Sequence, residues 1–199
     1  MNVDIISAFS SPIASFNYDK HEDIQNDLIK YCYQLREEDS GGVTASNING
    51  WQSGGLECPD ILLPVIDSVN ELVEYMINQQ LYCHEHGKMW VNINGKGSSN
   101  QCHQHPGADF AAIYYVKVPP DADCGTLLIE NPNTFSQYQF LQAIAPDMQQ
   151  HTNTSTFMSL MPKPGDFVIF PSNLVHSVTT NNVDDDRISI AWNIKINEK

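Results

Sequence analysis

Apolar residues follow a helical period in two early segments of the chain. The first runs from about His21 to Arg36, and the second follows Asp60 and reaches Ile77. Spacings of three and four residues are typical of an amphipathic helix that packs one face against a core. The pattern predicts two such helices, with apolar positions at Ile24, Leu28, Tyr31, Cys32 and Leu35, and at Leu62, Val65, Ile66, Val69, Leu72, Val73, Met76 and Ile77.

After about residue 88 the pattern changes to short runs with β-strand character. Clusters of Gly, Pro, Asn and Asp separate the runs, as in turns between strands. Helices followed by strands predict an α+β fold, and six or more short strands indicate a sandwich or barrel. We expect a jelly roll with the helices on one outer face. The runs are KMWVNIN, AAIYYVKV, TLLIE, GDFVIF, LVHSVTT and RISIAWNIKI.

The chain length of 199 residues fits one domain, spanning 1–199. We divide it into a helical part at 1–80, which covers a sheet, and a strand core at 88–197. An insertion at about 131–161 interrupts the strands without clear periodicity, which is typical of a lid, a binding loop or an inert insertion. A loop at 39–55, rich in Gly, Ser and Asn, is expected on the surface or at the rim of a site.

Composition narrows the class of protein and its partners. Apolar residues make up 41% and charged residues 17%, which favours a globular chain. The N-terminus lacks a basic start, and no segment approaches the roughly 18 to 20 apolar residues of a membrane span, so we expect no membrane association. The formal charge of −14 repels a phosphate backbone, so we expect no nucleic-acid partner. Five scattered cysteines favour reduced thiols and a cytoplasmic location.

Two histidines in the segment QCHQHPGADF, His103 and His105, carry the first candidate chemistry. Residues two apart on an extended backbone point to the same side, so both imidazoles can bind one metal ion. A third histidine, His176, follows in the strand LVHSVTT. The pair His84 and His86 in CHEH has the same spacing, but no downstream ligand completes it. We interpret that pair as part of a polar turn before the first strand.

The last strand alternates strictly between two faces. Its even positions from Ile188 to Ile196 are apolar, whereas Arg187 and Ser189 share the opposite face. Each buried apolar side chain contributes roughly 1.5 to 3 kcal/mol, so the orientation of this strand is strongly determined. A buried arginine without an anion costs roughly 3 to 5 kcal/mol. Arg187 therefore needs a bound carboxylate or a salt bridge to one of the aspartates at 184–186.

His103, the distal His176 and an Arg-x-Ser arrangement beginning at Arg187 resemble the iron(II)- and 2-oxoglutarate-dependent dioxygenases. The segments HQHPGADFAAIYYV, PGDFVIFPSNLVH, RISIAWN and GWQS look like a 2OG-Fe(II) oxygenase subfamily that is common in phages and marine bacteria. The likeness covers most of the chain. It implies a double-stranded β-helix of the jelly-roll, cupin-like kind with the N-terminal helices on one sheet, in the cytoplasm of the host cell if a phage encodes the chain.

The resemblance also implies the chemistry. Fe(II) and 2-oxoglutarate would be the cofactors, ascorbate a candidate reductant, O2 the oxidant, and a small molecule or a protein side chain the hydroxylated substrate. Related prolyl hydroxylases place a tyrosine on the distal carboxylate of 2-oxoglutarate, at the position of Tyr115. The implied site residues are His103, His105 and His176 for the metal, and Arg187, Ser189, Tyr115 and Asn92 for 2-oxoglutarate.

The third metal ligand departs from the family pattern. The usual triad is two histidines and a carboxylate in an HxD or HxE arrangement, and His105 stands at the carboxylate position. Three imidazoles would leave the iron site more positive than the usual triad. Asp109 could instead supply the carboxylate through the HPGAD turn. In a third reading His105 is the first ligand, and HPG is an HxG arrangement with an open coordination position, as in halogenases of the superfamily.

Three functions follow from these patterns. The first is an iron(II)- and 2-oxoglutarate-dependent hydroxylase. The second is a three-His iron dioxygenase of cupin type that does not use 2-oxoglutarate, in which Arg187 would bind a carboxylate of the substrate. The third is a non-catalytic jelly-roll module that holds a metal ion. Because Arg187 and Ser189 point together and select a carboxylate cosubstrate, we expect the first.

Overall fold

Two antiparallel β-sheets form the frame of the protein in this computed structural model, which describes residues 10–120, 123–133, 143–146, 148 and 155–199. The helices are α1 (His21–Glu38) and α2 (Leu63–Met76), and a 3-10 turn (Asp60–Leu62) leads into α2. The strands are β1 (Ala14–Asn17), β2 (Asn47–Ile48), β3 (Trp51–Gln52), β4 (Tyr82–Asn94), β5 (Ser99–His103), β6 (Phe110–Lys117), β7 (Leu127–Glu130), β8 (Phe157–Leu160), β9 (Asp166–Pro171), β10 (His176–Val178) and β11 (Arg187–Glu198).

The strand order is that of a jelly roll. One sheet has the order β1-β9-β6-β11-β4-β3, and the other has the order β2-β5-β10-β7-β8. Strands that are distant in sequence are neighbours in both sheets, as β11 is between β4 and β6. Such crossing connections between two sheets are those of the double-stranded β-helix, so the predicted fold is confirmed.

Two apolar cores lie on opposite faces of the six-stranded sheet. The outer core joins this sheet to α1 and α2, and its members include Leu28, Val69 and Trp192. The inner core lies between the two sheets and includes Leu127 and Phe170. The amphipathic helices therefore cover one sheet, as their apolar pattern predicts.

The last strand, β11, has the two-faced character that its sequence predicts. Its even-numbered side chains from Ile188 to Ile194 belong to the outer core under the helices. On the other face, Arg187 and Ser189 pair in register with Asn94 and Asn92 of β4. Polar side chains from two adjacent central strands are therefore held together inside the jelly roll, next to the inner core.

The first strand of the core begins earlier than the sequence suggests. His84 and His86 lie within β4 rather than in a turn before it, where they pair with Ile196 and Ile194 of β11. The interpretation of CHEH as a polar turn was wrong, because the long β11 pairs with β4 as far as its N-terminal end. Extended pairing to β11 thus prevails over the polar composition of this segment.

Strands also occur inside two segments that we read as loops. β2 and β3 lie within the loop at 39–55, and β8 (Phe157–Leu160) pairs with β7 near the end of the predicted insertion. Much of 131–161 lies outside the described residues, and the division of one domain into 1–80 and 88–197 stays a prediction. In the described part of the chain no helix has both the length and the apolar character to cross a membrane.

Candidate functional site

Strand register brings the two distant histidines together. His103 is the last residue of β5 and lies directly opposite His176, the first residue of β10. Their ring centroids are 4.2 Å apart. His105 lies just beyond β5, where its backbone N–H donates to the Ser172 carbonyl at 3.0 Å, and its ring centroid is 5.0 Å from that of His103 and 5.1 Å from that of His176.

Among the described residues these three histidines form the only cluster of potential metal ligands, with one ring nitrogen from each within 4.8 Å of the others. The Nδ1–H of His103 donates to the Gln101 carbonyl at 2.8 Å, and the Nδ1–H of His176 donates to the Leu174 carbonyl at 2.9 Å. Such bonds orient a ligating imidazole and leave its Nε2 lone pair for a metal. The Nε2 atoms of His105 and His176 are already 3.2 Å apart.

Burial keeps the imidazoles in the form that binds a metal. It lowers the pKa of both His105 and His176 to about 4, with a smaller contribution from the neighbouring histidines. Both rings are therefore neutral at pH 7, as metal ligation requires. Trp90 stacks on His105 with centroids 5.7 Å apart, and Phe170 packs its ring against His176 at 4.8 Å.

Arg187 is the second unusual group of the site, because it is buried and no described carboxylate pairs with it. Only 3% of its surface is exposed, its Nη1 donates to the Gly125 carbonyl at 3.3 Å, and its Nε has no hydrogen-bond partner among the described residues. Its guanidinium lies 5.6 Å from the Tyr115 ring centroid. Burial lowers the pKa of Arg187 from its ordinary value, which is so high that the group stays charged.

The salt-bridge alternative for Arg187 fails in the structure. Each of the three nearby aspartates pairs with a different cation, so none is left to balance the buried guanidinium. Lys96 binds Asp184 at 2.9 Å, Lys117 binds Asp185 at 2.5 Å, and Arg36 binds Asp186 at 3.4 Å. A carboxylate from outside the chain is the remaining candidate.

One cavity contains both the histidine cluster and Arg187. Part of it is open to solvent, and its lining includes Asn92, Tyr115 and Ser189, the other residues expected at 2-oxoglutarate. No described residue donates to the buried Oδ1 of Asn92 in the cavity wall. A guanidinium without a described acidic partner and three converging imidazoles in one cavity fit a dicarboxylate that chelates a metal ion.

Comparison with known families agrees with this geometry. A family model described as "Putative 2OG-Fe(II) oxygenase" matches residues 88–193, which is more than half of the chain. The chain belongs to this oxygenase family. The match runs through β4 to β11 and so contains the three histidines and Arg187. Iron(II) and 2-oxoglutarate are thus the cofactors of the enzyme, and O2 is its oxidant.

Solved structures support the fold of the oxygenase. A prolyl-4-hydroxylase from Pseudomonas putida aligns with a TM-score of 0.61 and 13% identity, over 94% of each chain. The viral collagen prolyl hydroxylase of Paramecium Bursaria Chlorella virus-1, solved with 2-oxoglutarate, aligns with a TM-score of 0.57 and 13% identity, over 92% of this chain and 94% of that one. HygX from Streptomyces hygroscopicus, solved with nickel, 2-oxoglutarate and hygromycin B, aligns with a TM-score of 0.57 and 11% identity, over 93% and 83%. No curated protein matches the sequence.

Asp109, the alternative third ligand, lies away from the histidine cluster of the oxygenase. Its Oδ2 accepts a hydrogen bond of 2.7 Å from the backbone N–H of Ile196, and its backbone N–H donates to the Ile194 carbonyl. Both bonds tie the HPGAD turn to β11. The carboxylate of Asp109 therefore has a structural partner in this conformation, whereas the Nε2 of His105 faces the other histidines.

Sequence reasoning missed part of the cavity wall of this oxygenase. Asn94 donates to the Oδ1 of Asn100 at 2.9 Å, and Asn100 donates to the hydroxyl of Ser46 at 3.2 Å. Asn100 and Ser46 line the cavity with the predicted residues. Asn94 shares the alternation of β4 with Asn92 and could have been found from it. Asn100 lies in the short β5, which carries no apolar alternation, and Ser46 lies in a loop.

Proposed function

We propose that this oxygenase hydroxylates an organic substrate at an iron(II) ion held by His103, His105 and His176, with 2-oxoglutarate anchored by Arg187. The observation that carries the proposal is the buried guanidinium of Arg187, which pairs with no described carboxylate and lies in the same cavity as three converging imidazoles. A dicarboxylate cosubstrate would satisfy the first feature, and a metal ion would satisfy the second.

The side chains of the chain would bind and orient the cofactors. The Nδ1–H bonds of His103 and His176 to backbone carbonyls hold each Nε2 toward the cavity, so little freedom is lost when a metal binds. Arg187 would bind one carboxylate of 2-oxoglutarate through its fork of N–H donors, with Ser189, Tyr115 and the amide of Asn92 as neutral partners. Once bound, iron(II) and 2-oxoglutarate together supply the O2-dependent oxidation, in which the cosubstrate loses CO2 and becomes succinate.

A three-His iron dioxygenase that works without 2-oxoglutarate is the second candidate. The donor set of three imidazoles favours it, because such sites occur in cupin-type enzymes. Family membership and the unpaired Arg187 favour the first candidate. The same measurement of 2-oxoglutarate binding distinguishes the two.

Two considerations indicate the substrate class: the net charge of the chain and, by analogy, the molecules bound in similar solved structures. A small molecule or a protein side chain fits a chain with a formal charge of −14, and a nucleic acid does not. A prolyl hydroxylase from Trichoplax adhaerens, among the similar structures, was solved with a peptide of hypoxia inducible factor, and HygX was solved with hygromycin B. The absence of a membrane partner, the cytoplasmic location and the use of ascorbate stay predictions.

The test is an anaerobic titration of the Fe(II)-loaded protein with 2-oxoglutarate. We expect the visible charge-transfer band of the iron–2-oxoglutarate chelate to appear and saturate, and succinate to form when O2 is admitted. Arg187→Ala should lose the band at the 2-oxoglutarate concentrations that saturate wild type. His84→Ala, which changes a histidine outside the cavity, should keep it. Bound iron without a band in wild type would contradict the proposal.

A further inference from the structure

The cavity of the oxygenase has an unusual charge balance. Among the described residues that line it, Arg187 is the only charged side chain and none is a carboxylate. Two carboxylates of neighbouring segments have other partners: Asp109 accepts from the backbone of Ile196, and Glu130 accepts from the exposed thiol of Cys102. The described lining thus offers the metal three imidazole rings and a guanidinium but no carboxylate, although the whole molecule is strongly acidic.

This balance matters once the proposed cofactors are counted, and the inference rests on that proposed function. The two negative charges of 2-oxoglutarate offset the two positive charges of iron(II), and the guanidinium of Arg187 is then left without a counter-charge. In a site with two histidines and a carboxylate, that carboxylate offsets it. An uncompensated charge in a buried site is costly, so the loaded cavity favours the arrival of one more anion.

A second cavity adjoins the first, and its described lining contains no carboxylate. The ring of Trp90, which stacks on His105, lines both cavities. Lys88 is the only charged residue in the described lining of the second cavity. Lys88 pairs with the exposed Glu57 at 2.9 Å, outside this lining. An anionic group that reaches the metal from this side meets no carboxylate of the described lining.

We propose that the loaded site accepts one further monoanionic group beside the metal, and that the substrate supplies it as a carboxylate. His105 is then a specificity-determining residue, because its neutral ring replaces the negative charge that would repel such a group. A substrate carboxylate and a free small anion share this chemistry, and the experiment separates the two sources.

The test compares azide binding to wild type and to His105→Asp, both loaded anaerobically with Fe(II) and 2-oxoglutarate. The aspartate restores the charge that the usual triad carries. Azide binding is followed by the shift of the chelate band and by calorimetry, so no turnover is needed. We expect wild type to bind azide roughly tenfold more tightly or more, because an added negative charge a few ångströms away in a partly buried site repels the anion.

Nitric oxide is the matched neutral probe. It should bind to both proteins, which shows that a coordination position on the iron is accessible in each. If His105→Asp fails to fold, as judged by circular dichroism, His105→Glu supplies the same charge on a longer side chain. Competition against azide distinguishes the sources: displacement by chloride would show that a free ion suffices, and displacement by acetate alone would favour a substrate carboxylate.

Two results would count against the inference in different ways. Equal azide affinities in wild type and the acidic variants, with a normal chelate band, would overturn it and leave the iron site intact. A wild type that binds iron but forms no chelate band would contradict the proposed function itself, and this inference with it.

Discussion

The oxygenase contains two histidine pairs with identical spacing and different surroundings. His84 and His86 lie on β4 with ring centroids 5.4 Å apart, and His103 and His105 lie at the end of β5 with centroids 5.0 Å apart. The Oδ1 of Asn70, in α2, accepts from the Nε2 of His84 at 2.9 Å and of His86 at 2.7 Å. Hydrogen bonds to Asn70 therefore hold the first pair, His84 and His86, against α2.

In the described part of the chain, no amide side chain accepts a hydrogen bond from the second pair, His103 and His105. His176 lies across the ladder from His103, and the Nε2 atoms of His105 and His176 approach one another at 3.2 Å. The Nδ1 of His86, by contrast, accepts from the Nε1–H of Trp192 at 2.9 Å, so both of its nitrogens are satisfied. The comparison shows that histidine pairs of identical spacing can have different hydrogen-bond partners. The partners that the fold brings to the free nitrogens decide between a structural and a ligating role.

The largest expected difference between the two clusters is in Fe(II) affinity, after removal of one of the proposed metal ligands. We expect His176→Ala to weaken Fe(II) binding by more than roughly 100-fold, because even loss of a supporting residue outside the ligand set costs 10- to 100-fold. The matched change His84→Ala should leave iron affinity unchanged. Anaerobic competition with a coloured chelator measures both. Equal losses of Fe(II) affinity in the two variants would mean that iron does not bind at the cluster of His103, His105 and His176 alone.

Substitution of Arg187 should weaken 2-oxoglutarate binding without lowering the stability of the cofactor-free protein. We expect Arg187→Met to weaken 2-oxoglutarate binding by about 10- to 100-fold, the value of a charge-assisted hydrogen bond of roughly 1.5 to 3 kcal/mol. The same change should leave the cofactor-free protein as stable or raise its stability, because the arginine is a buried, unpaired cation. Lys117→Met, which removes a partly exposed ion pair with Asp185, is the control and should not affect 2-oxoglutarate. Calorimetry and thermal unfolding give the two values, and a large loss of stability in Arg187→Met would contradict this account.

His86 should contribute to the pH dependence of folding. Burial lowers the pKa of His86 from 6.5 to about 4, so the unfolded chain takes up a proton at a higher pH than the folded one. Stability from this group is complete above about pH 6.5 and is lost as the pH falls toward 4, by about 1 to 3 kcal/mol. His86→Gln should reduce the slope of unfolding free energy against pH in that window. An unchanged slope would show that His86 does not contribute to it.

The smallest effect should come from the alternative ligand. We expect Asp109→Asn to keep Fe(II) affinity and to lose about 1 kcal/mol of stability, because its carboxylate accepts from the backbone of Ile196. His105→Ala should instead lose Fe(II) affinity. Iron loss in Asp109→Asn with iron retained in His105→Ala would assign the third ligand to the aspartate.

Much of this fold follows from local patterns that the sequence displays. Helical and alternating periods identify α1, α2 and β11, since a buried apolar face constrains orientation strongly. The place of His84 was not readable, because its strand exists through pairing with β11 and not through its own composition. Asn100 and Ser46 were missed for the same reason: strand register and a loop bring them to the cavity, and neither leaves a periodic signal. The absence of an anion at Arg187 likewise depends on which cation each aspartate meets in three dimensions.

The central claim is that iron is held by three imidazoles from His103, His105 and His176. X-ray absorption at the iron edge of the anaerobic Fe(II) protein with 2-oxoglutarate counts imidazole ligands through their multiple-scattering pattern. The account predicts three imidazoles in wild type and two in His105→Asp, with His84→Ala identical to wild type. Two imidazoles and a protein carboxylate in wild type would contradict it.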